Sequence, residues 1–211
     1  MKIIYHKLMK LNLLVLKNGY KKMKIPHTGL EGNVSDHKFR SGYVQWLLHQ
    51  EGYRNNKKIK IPRVIIQFWD KLEELPEDVE KCLNSWHILK EFGFRVILFS
   101  DKSARKFIQK EYPNEYVIAY DKCEHPAMKS DYFRLCYIYK CGGAYVDADE
   151  ILIDKKFIEY FNNNNLKIQP LCFDLAKNEM VNFYDYIEDK SYPNKKIFYV
   201  NNNPIICPSK H

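Results

Sequence analysis

Residues 126–154 read PAMKSDYFRLCYIYKCGGAYVDADEILID, and this stretch decides the fold that we predict for the chain. From residue 127 to about 140 the apolar side chains have helical spacing, and Pro126 suits the first turn of a helix. The glycines at 142–143 end that helix, because glycine readily adopts the left-handed conformation found at helix C-termini. The apolar residues 144–146 are then predicted to form the end of a buried strand.

Two acids, Asp147 and Asp149, follow this strand one residue apart. In an extended backbone the side chains of residues i and i+2 point to the same side, so we expect both carboxylates to aim at one point. Such carboxylates repel each other unless protons or a cation neutralise them. Mn²⁺ and Mg²⁺ prefer oxygen ligands and are often bound by carboxylates together with phosphate oxygens. The alternative is a solvated D-x-D turn without a ligand.

Another acid and a base lie on the predicted helix that precedes the strand. Asp131 and Arg134 are three residues apart and therefore share a face of that helix. Arg134 would either pair with Asp131 or bind a phosphate group through two nitrogens of its guanidinium. The alternative is an ordinary surface ion pair.

The stretch from Ser130 to Glu150 resembles the DXD-containing sugar-binding region of the family-32 glycosyltransferases. The pattern of that region is roughly S-D-x-x-R, followed after a spacer by G-G-x-Y-x-D-x-D. Every position of this pattern is filled in the chain, by Ser130, Asp131, Arg134, Gly142, Gly143, Tyr145, Asp147 and Asp149. The resemblance extends over roughly residues 61–211.

The resemblance implies a role for each of these side chains. Asp149 would be the principal metal ligand. Asp147 would contact the sugar-nucleotide, which is the donor of the sugar, and would bind the metal through water. Asp131 and Arg134 would hold the donor sugar, and Tyr145 would pack beside the nucleotide. The catalytic residues would accordingly be Asp131, Arg134, Asp147 and Asp149, and the cofactor would be Mn²⁺ or Mg²⁺.

Strand and helix patterns alternate before the key stretch. Residues 61–69, IPRVIIQFW, form an apolar run typical of a strand that is buried on both faces. A helix is predicted from about Pro76 to Gly93, a second buried strand at 94–99 and a further helix at 101–111. This order predicts an α/β fold with a mostly parallel central sheet flanked by helices. The resemblance makes it a GT-A-type nucleotide-sugar-binding fold.

Ligands of such sheets bind at the carboxyl ends of the strands, which points to Gln67 and Trp69. In the family an aromatic residue lies beside the nucleobase at this place, so the resemblance makes Trp69 the stacking residue. The alternative is a core aromatic. The family usually has histidine where Ile66 stands. Ser130 joins the implied donor-binding residues, and His125 would either reach the site or play a structural part.

The basic charge of the chain is concentrated at its start. The formal net charge is +8, and residues 1–24 contain seven lysines and no acid, which leaves about +1 elsewhere. This distribution argues against a nucleic-acid partner, because the folded body lacks a basic excess. A helix is predicted from the helical spacing of Ile4, Leu8, Leu11 and Val15. This helix would either contact a membrane surface or pack on the body of the protein. The remaining alternative is a tail without a role.

Six cysteines without a C-x-x-C motif indicate reduced thiols in a reducing compartment, and the alternative is disulfide pairing of this even number. No run reaches the roughly 18 apolar residues of a membrane span. We therefore expect a soluble, cytoplasmic protein.

The chain divides by pattern into two parts. Residues 1–60 are predicted to be a basic tail with a connecting helical region, including a short helix near 43–50. Residues 61–211 are predicted to be the GT-A-like domain, with a strand near 168–173. The segment 199–208 resembles the family's next strand. We expect this domain to be truncated or minimal at its C-terminus.

The function predicted from these features is a metal-dependent, retaining glycosyltransferase. It would move a sugar from a nucleoside-diphosphate sugar to a hydroxyl group of a glycan or protein acceptor. One alternative is a nucleotide-sugar-binding pseudoenzyme or non-catalytic module, and another is a nucleic-acid binder that uses the basic tail.

Overall fold

Residues 59–186 and 196–210 are described by the structure, a computed structural model of the chain. They fall into two compact units. The larger unit holds residues 59–167 and 202–210, and the smaller unit holds residues 168–186 and 196–201.

Several predictions for the first part of the chain lie outside the described residues. They are the amphipathic helix within residues 1–24, the short helix near 43–50 and almost all of the predicted region 1–60. His211 also lies outside.

Three parallel strands and part of a fourth strand form the sheet of the larger unit. β1 is Val64–Phe68, β2 is Arg95–Phe99 and β3 is Gly143–Tyr145. β1 pairs in parallel with β2 on one side and with β3 on the other. The end of β6, which is Lys196–Cys207, pairs antiparallel with β3. The strand order in this unit is therefore β2-β1-β3-β6.

Helices of two types connect these strands. The α-helices are α1 (Glu77–Ser85), α2 (Asp101–Glu111), α3 (Asn114–Asp121) and α4 (Pro126–Cys141). The 3-10 helices are Leu72–Glu74, Trp86–Phe92 and Lys155–Phe161. The sequence predicts α1 and the second 3-10 helix as one helix, whereas α3 was not predicted.

The ends of these helices follow from identifiable residues. Ser100 caps α2, because its hydroxyl accepts the Ser103 N–H at 3.2 Å while the Ser103 hydroxyl accepts the Ser100 N–H at 2.8 Å. Gly93 ends the 3-10 helix Trp86–Phe92 with φ 77°, a conformation that glycine adopts without strain.

A glycine pair makes the turn from α4 into β3. Gly142 has φ 71°, and a Cβ atom there would lie 2.6 Å from the Ser209 backbone nitrogen. Gly143 has φ 106°, and a Cβ atom there would lie 2.8 Å from the Val64 carbonyl oxygen. Both positions require glycine, because a side chain would meet backbone atoms as well as backbone strain. The predicted order of helix, glycine break and buried strand is confirmed.

The core of the larger unit lies on both faces of its sheet. On one face the buried side chains are Ile61, Ile65, Trp86, Leu89, Phe94, Ala144, Val146 and Ile206. On the other face the rings of Phe68, Phe99, Phe107, Phe133 and Tyr137 pack together. Burial of each large apolar side chain contributes roughly 1.5–3 kcal/mol. The packing of Phe133 on Phe99, with ring centres 4.7 Å apart, fixes α4 on the sheet.

The smaller unit is built from antiparallel strands. β4 is Lys167–Asp174, which matches the strand predicted near 168–173, and β5 is Glu179–Val181. They pair with Phe173 opposite Met180, and the strand order is β6-β4-β5. A short helix, α5 (Phe183–Tyr186), follows β5.

The predicted α/β fold with a helix-flanked sheet is confirmed. The sheet is mixed, because the strands are parallel over β2-β1-β3 and antiparallel at β3-β6 and β4-β5. All six cysteines lie in the described residues as free thiols. Among the described residues, no helix is both long enough and apolar enough to cross a membrane.

Candidate active site

One face of α4 carries the polar residues of the site into the protein. Ser130, Phe133, Arg134 and Tyr137 are all buried, and their spacing of three, one and three residues places them on the same side of the helix. Phe133 and Tyr137 pack on the sheet, so Ser130 and Arg134 are held beside the end of β3. Asp131 lies next to this face and remains exposed.

Arg134 is the centre of a hydrogen-bond network and is only 4% exposed. Its Nη2 atom lies 2.8 Å from Asp147 Oδ1, 3.0 Å from Asp131 Oδ1 and 3.2 Å from Ser130 Oγ. Its Nη1 atom donates to both the backbone oxygen and the side-chain oxygen of Asn202, each at 3.0 Å. The guanidinium therefore joins the helix, the residues after β3 and strand β6.

Tyr145 lies beneath this guanidinium and is fully buried. The guanidinium carbon of Arg134 is 4.5 Å from the centre of the Tyr145 ring, which is a cation–π contact. The Tyr145 hydroxyl is 2.6 Å from Ser130 Oγ. Burial is the main cause that raises the pKa of Tyr145, so the phenol stays neutral. Tyr145 thus packs against the guanidinium of Arg134 and helps to hold it in place.

The two acids of the D-x-D triplet lie on a turn. The Glu150 N–H donates to the Asp147 carbonyl at 3.2 Å, and Ala148 and Asp149 are the turn residues. The predicted extended backbone at this point is wrong, since the chain leaves β3 and reverses instead of continuing as a strand. Asp149 and Glu150 are exposed, whereas Ala148 is buried.

The surroundings of Asp147 disfavour the charged form of its carboxylate. Burial is the largest cause that raises its pKa, and the charges of Asp149 and Asp131 raise it further. The charge of Arg134 opposes them. Asp147 therefore carries its negative charge at a cost, which a bound cation would offset.

Two asparagines of β6 complete the site, and neither was predicted as a site residue. Asn202 donates from Nδ2 to Asp131 Oδ1 at 3.1 Å. Asn203 accepts the Asp147 N–H at 2.9 Å through Oδ1, and it donates from Nδ2 to Glu150 Oε1 at 3.2 Å. The available signal was the polar run at residues 201–203 inside a strand, where asparagine is unfavourable.

Gln67 and Trp69 lie where β1 ends, as predicted from the direction of the strand. Gln67 is 1% exposed, and its Nε2 atom has no hydrogen-bond partner among the described residues. Trp69 is half-buried and packs against a cluster of Val79, Leu83 and Ala148. The cluster against which Trp69 packs thus includes Ala148, the residue between the two acids.

His125 has a structural contact in this region. Its Nδ1 atom accepts the Ala127 N–H at 3.1 Å, so it caps the N-terminus of α4. This contact agrees with the structural alternative for His125.

The site fits a divalent cation that takes part of its coordination from a substrate. Among the described residues, no group of three or more His, Cys, Asp or Glu side chains could hold a metal by itself. Asp149 is exposed and makes no hydrogen bond through its carboxylate to the described residues, so its oxygens remain available. Mg²⁺ is commonly bound by one or two carboxylates plus phosphate oxygens and water. Asp147 and Asp149 are the residues that would hold such a cation.

Comparison with known proteins points to the same region. A family model described as "Glycosyltransferase sugar-binding region containing DXD motif" matches residues 76–171. This range runs from the start of α1 into β4 and includes the whole of α4, the glycine pair and the turn with both acids.

Three curated proteins are similar to part of the chain. Inositol phosphoceramide mannosyltransferase 3 of Schizosaccharomyces pombe is 33% identical over 95 residues, covering 45% of this chain and 26% of that protein. An uncharacterised glycosyltransferase of Acanthamoeba polyphaga mimivirus is 29% identical over 96 residues, covering 43% and 36%. A mannosyl phosphorylinositol ceramide synthase of Saccharomyces cerevisiae is 30% identical over 94 residues, covering 43% and 23%.

The matched part of this chain thus spans between about a quarter and about a third of the length of these relatives. The family match covers all the filled S-D-x-x-R and D-x-D positions. Residues 76–171 are therefore similar to a glycosyltransferase sugar-binding region with a DXD motif, and the predicted resemblance to the family-32 glycosyltransferases is confirmed.

Proposed function

We propose that this chain is a metal-dependent glycosyltransferase that moves a sugar from a nucleoside-diphosphate sugar to an acceptor hydroxyl. The observation that carries the proposal is the hydrogen-bond network of Arg134, whose buried guanidinium contacts both Asp147 and Asp131. Asp149 is left exposed on the adjoining turn. A buried base thus orders two acids, and a third acid faces solvent with its oxygens available.

The balance of charge around the turn supports a requirement for a cation. Four carboxylates, those of Asp131, Asp147, Asp149 and Glu150, meet one guanidinium, that of Arg134, within this network. A nucleoside-diphosphate sugar brings further negative charge, so this site would repel it. Asp149 and Asp147 would hold Mn²⁺ or Mg²⁺, and such a cation would offset the charge that develops on the departing diphosphate.

The residues of the chain would perform distinct tasks around the donor. Arg134 holds Asp147 and Asp131 in one arrangement, so both acids are ordered before a substrate arrives. Asp131 has an exposed carboxylate that would accept hydrogen bonds from sugar hydroxyls. Trp69, which packs against the cluster that includes Ala148, would stack on the nucleobase, and this contact would orient the donor relative to the turn. Ordering of this kind lowers the entropic cost of reaching the transition state.

We propose mannose as the first donor sugar to test, because two of the relatives are named for mannosyl transfer. We propose that the reaction retains the anomeric configuration, as the family resemblance implies. The acceptor would be a hydroxyl group of a glycan or a glycolipid headgroup, since the same two relatives are named for ceramide-linked inositol phosphate.

The test is a donor screen with the full chain. Each of GDP-mannose, UDP-glucose and UDP-galactose is incubated with Mn²⁺, with Mg²⁺ or with EDTA, and the released nucleoside diphosphate is measured. Release that needs the metal and is specific for one donor supports the proposal. Calorimetry then separates the alternatives, because donor binding without hydrolysis or transfer supports a non-catalytic module instead. Absence of both binding and release contradicts the proposal.

A further inference from the structure

We propose that Asn203 is a positioning residue for the DXD turn, the four-residue turn 147–150 that carries both acids. The oxygen of its side-chain amide binds the first residue of this turn, and the nitrogen binds the last. The structural half of this inference concerns only the turn, and its consequence for donor and metal rests on the function proposed above. Asn203 lies on β6, far in sequence from the helix-and-glycine motif that carries the family pattern.

The register of the sheet explains why Asn203 reaches the turn. β3 and β6 pair antiparallel, with Ala144 opposite Ile206 and Tyr145 opposite Ile205. Continued by two residues, this register places Asn203 opposite Asp147. Pro204 has no N–H, so it cannot donate to a strand ladder here. At this place the two strands are joined through a side chain instead, because the Asn203 Oδ1 atom accepts the Asp147 N–H at 2.9 Å.

The other half of the amide holds the far end of the turn. Asn203 Nδ2 donates to Glu150 Oε1 at 3.2 Å, while the Glu150 N–H donates to the Asp147 carbonyl at 3.2 Å. One side chain thus bonds to both the first and the last residue of a four-residue turn. Asn203 is 5% exposed, so both bonds are largely shielded from water.

This arrangement matters for Asp149, which lies between the two held residues. The Asp149 carboxylate makes no hydrogen bond to the described residues, so the backbone of the turn alone sets its direction. The side chains of Asn202 and Asn203 point to opposite faces of the strand, as neighbours in a strand do. Asn202 bonds to Arg134 and Asp131, and Asn203 bonds to the turn. Consecutive residues of β6 thereby hold the two halves of the site in place.

The contact between Asn203 and Glu150 can be tested by exchanging the amide donor and the carboxylate acceptor between the two positions. Asn203→Asp keeps an oxygen for the Asp147 N–H, but it replaces the donor to Glu150 with a second carboxylate. Glu150→Gln supplies an amide donor at that place. The double variant Asn203→Asp/Glu150→Gln therefore restores both bonds in nearly the same volume. A role in filling space does not predict this rescue, whereas a bridging role does.

The experiment measures amide hydrogen exchange of residues 146–151 in the full chain, without metal or donor. We expect exchange to be about tenfold faster in Asn203→Ala and in Asn203→Asp, and near the wild-type rate in the double variant. The control is Asn201→Ala on the same strand, whose side chain bonds to Gln169 instead, and it should leave exchange in the turn unchanged. Unchanged exchange in Asn203→Ala, or no rescue in the double variant, would overturn the inference.

A second measurement tests whether the order of the turn affects metal binding. Binding of Mn²⁺ in the presence of GDP or UDP is followed by electron paramagnetic resonance of the free ion. We expect Asn203→Ala to weaken Mn²⁺ binding about 10–100-fold, with rescue in the double variant. If the wild type binds no Mn²⁺ with either nucleotide, the proposed function fails, while the exchange measurement still decides the role of Asn203. If the Asn203 variants unfold, Glu150→Ala removes one of the two bonds without altering β6, and the same exchange increase is expected.

Discussion

The Nη2 atom of Arg134 lies 2.8 Å from the Oδ1 atom of Asp147, and this ion pair joins helix α4 to the turn that carries the DXD motif. The side chain of Arg134 is 5% exposed and that of Asp147 is 31% exposed, so the pair lies at the boundary between the interior and the solvent. A pair placed there orders the carboxylate of Asp147, which is partly open to solvent. Loss of either partner leaves a partly buried charge without its counter-charge.

Arg134→Lys tests whether the shape of the guanidinium is needed as well as its charge. A lysine has a single ammonium group and cannot contact Asp131, Asp147 and Asn202 together. We expect kcat/KM to fall by about 100-fold, a loss of roughly 3 kcal/mol in transition-state stabilisation. We also expect the free energy of unfolding to fall by roughly 1–3 kcal/mol.

The matched control is Arg105→Lys. Arg105 also binds a carboxylate through two nitrogens, those at 2.8 Å and 2.7 Å from Asp121, but this pair is exposed. Exposed pairs contribute less than about 1 kcal/mol, and this one lies outside the site. Equal effects of the two substitutions on kcat/KM would contradict the role of Arg134.

Gly142→Ala tests the turn between α4 and β3. Gly142 has φ 71°, and the added Cβ atom would lie 2.6 Å from the Ser209 nitrogen. Backbone strain and a contact with backbone atoms add together, so we expect a loss of roughly 2–4 kcal/mol in the free energy of unfolding. Gly93→Ala is the control, since it has φ 77° but its nearest atom lies 3.8 Å away, and we expect a loss of only about 1 kcal/mol. Urea unfolding measures both, and equal losses would show that the close approach does not matter.

The sequence predicted the parts of the site that local chemistry determines. The glycine pair at 142–143, the helix before it and the face shared by Asp131 and Arg134 follow from spacing over a few residues. The acids after β3 were also found, but the backbone there forms a turn, because the chain must leave the sheet at the end of β3. Strand alternation therefore predicted an extended backbone where the structure has a turn, and the metal-binding role of these acids stays a prediction.

The contacts that the sequence did not reveal are those between distant segments. Asn202 is 68 residues from Arg134, and Asn203 is 56 residues from Asp147. Their positions depend on the antiparallel pairing of β6 with β3, which no local pattern specifies. Helix α3 was missed for a different reason. Its run of Tyr116, Val117 and Ile118 favours a strand by propensity, and packing overrides that preference.

Lys167→Met tests the cost of a buried charge in the larger unit. Lys167 is 5% exposed, and its Nζ atom donates to the Asn163 carbonyl at 2.7 Å. Burial is the main cause that lowers the pKa of Lys167 from 10.5 to about 8. Between these values the native state binds fewer protons than the unfolded state, so stability rises as the pH rises from about 8 to 10.5. Below pH 8 both states are protonated and the full cost remains.

We expect Lys167→Met to raise the free energy of unfolding at pH 7 by on the order of 1–3 kcal/mol, because it removes the cost of the buried charge. The wild type should also gain stability relative to the variant as the pH rises above 8. Urea unfolding at pH 7, 8, 9 and 10 measures both effects. Lys156→Met, at an exposed lysine, serves as the control with little change. A difference in stability between the wild type and Lys167→Met that stays constant over this range would contradict the assignment.

Trp69→Ala and Trp69→Phe test the proposed contact with the nucleobase. Stacking of a base on an aromatic side chain contributes roughly 1–3 kcal/mol. We expect Trp69→Ala to raise KM for the donor by about tenfold or more, and Trp69→Phe to retain most of the affinity. The alternative role, packing against Val79 and Leu83, predicts lower stability in both variants with KM unchanged. Measuring KM and the unfolding midpoint for each variant separates the two roles.

The central claim is that Asp149 binds the cation that carries the activated sugar, and Asp149→Ala tests it most directly. Asp149 is exposed, so its removal should leave the unfolding midpoint close to that of the wild type. The measurement is the rate of Mn²⁺-dependent nucleoside-diphosphate release from the preferred donor, with Glu159→Ala, at another exposed acid, as the control. We predict that release falls at least about 100-fold in Asp149→Ala and is unchanged in Glu159→Ala. Release at the wild-type rate by a folded Asp149→Ala variant would contradict the claim.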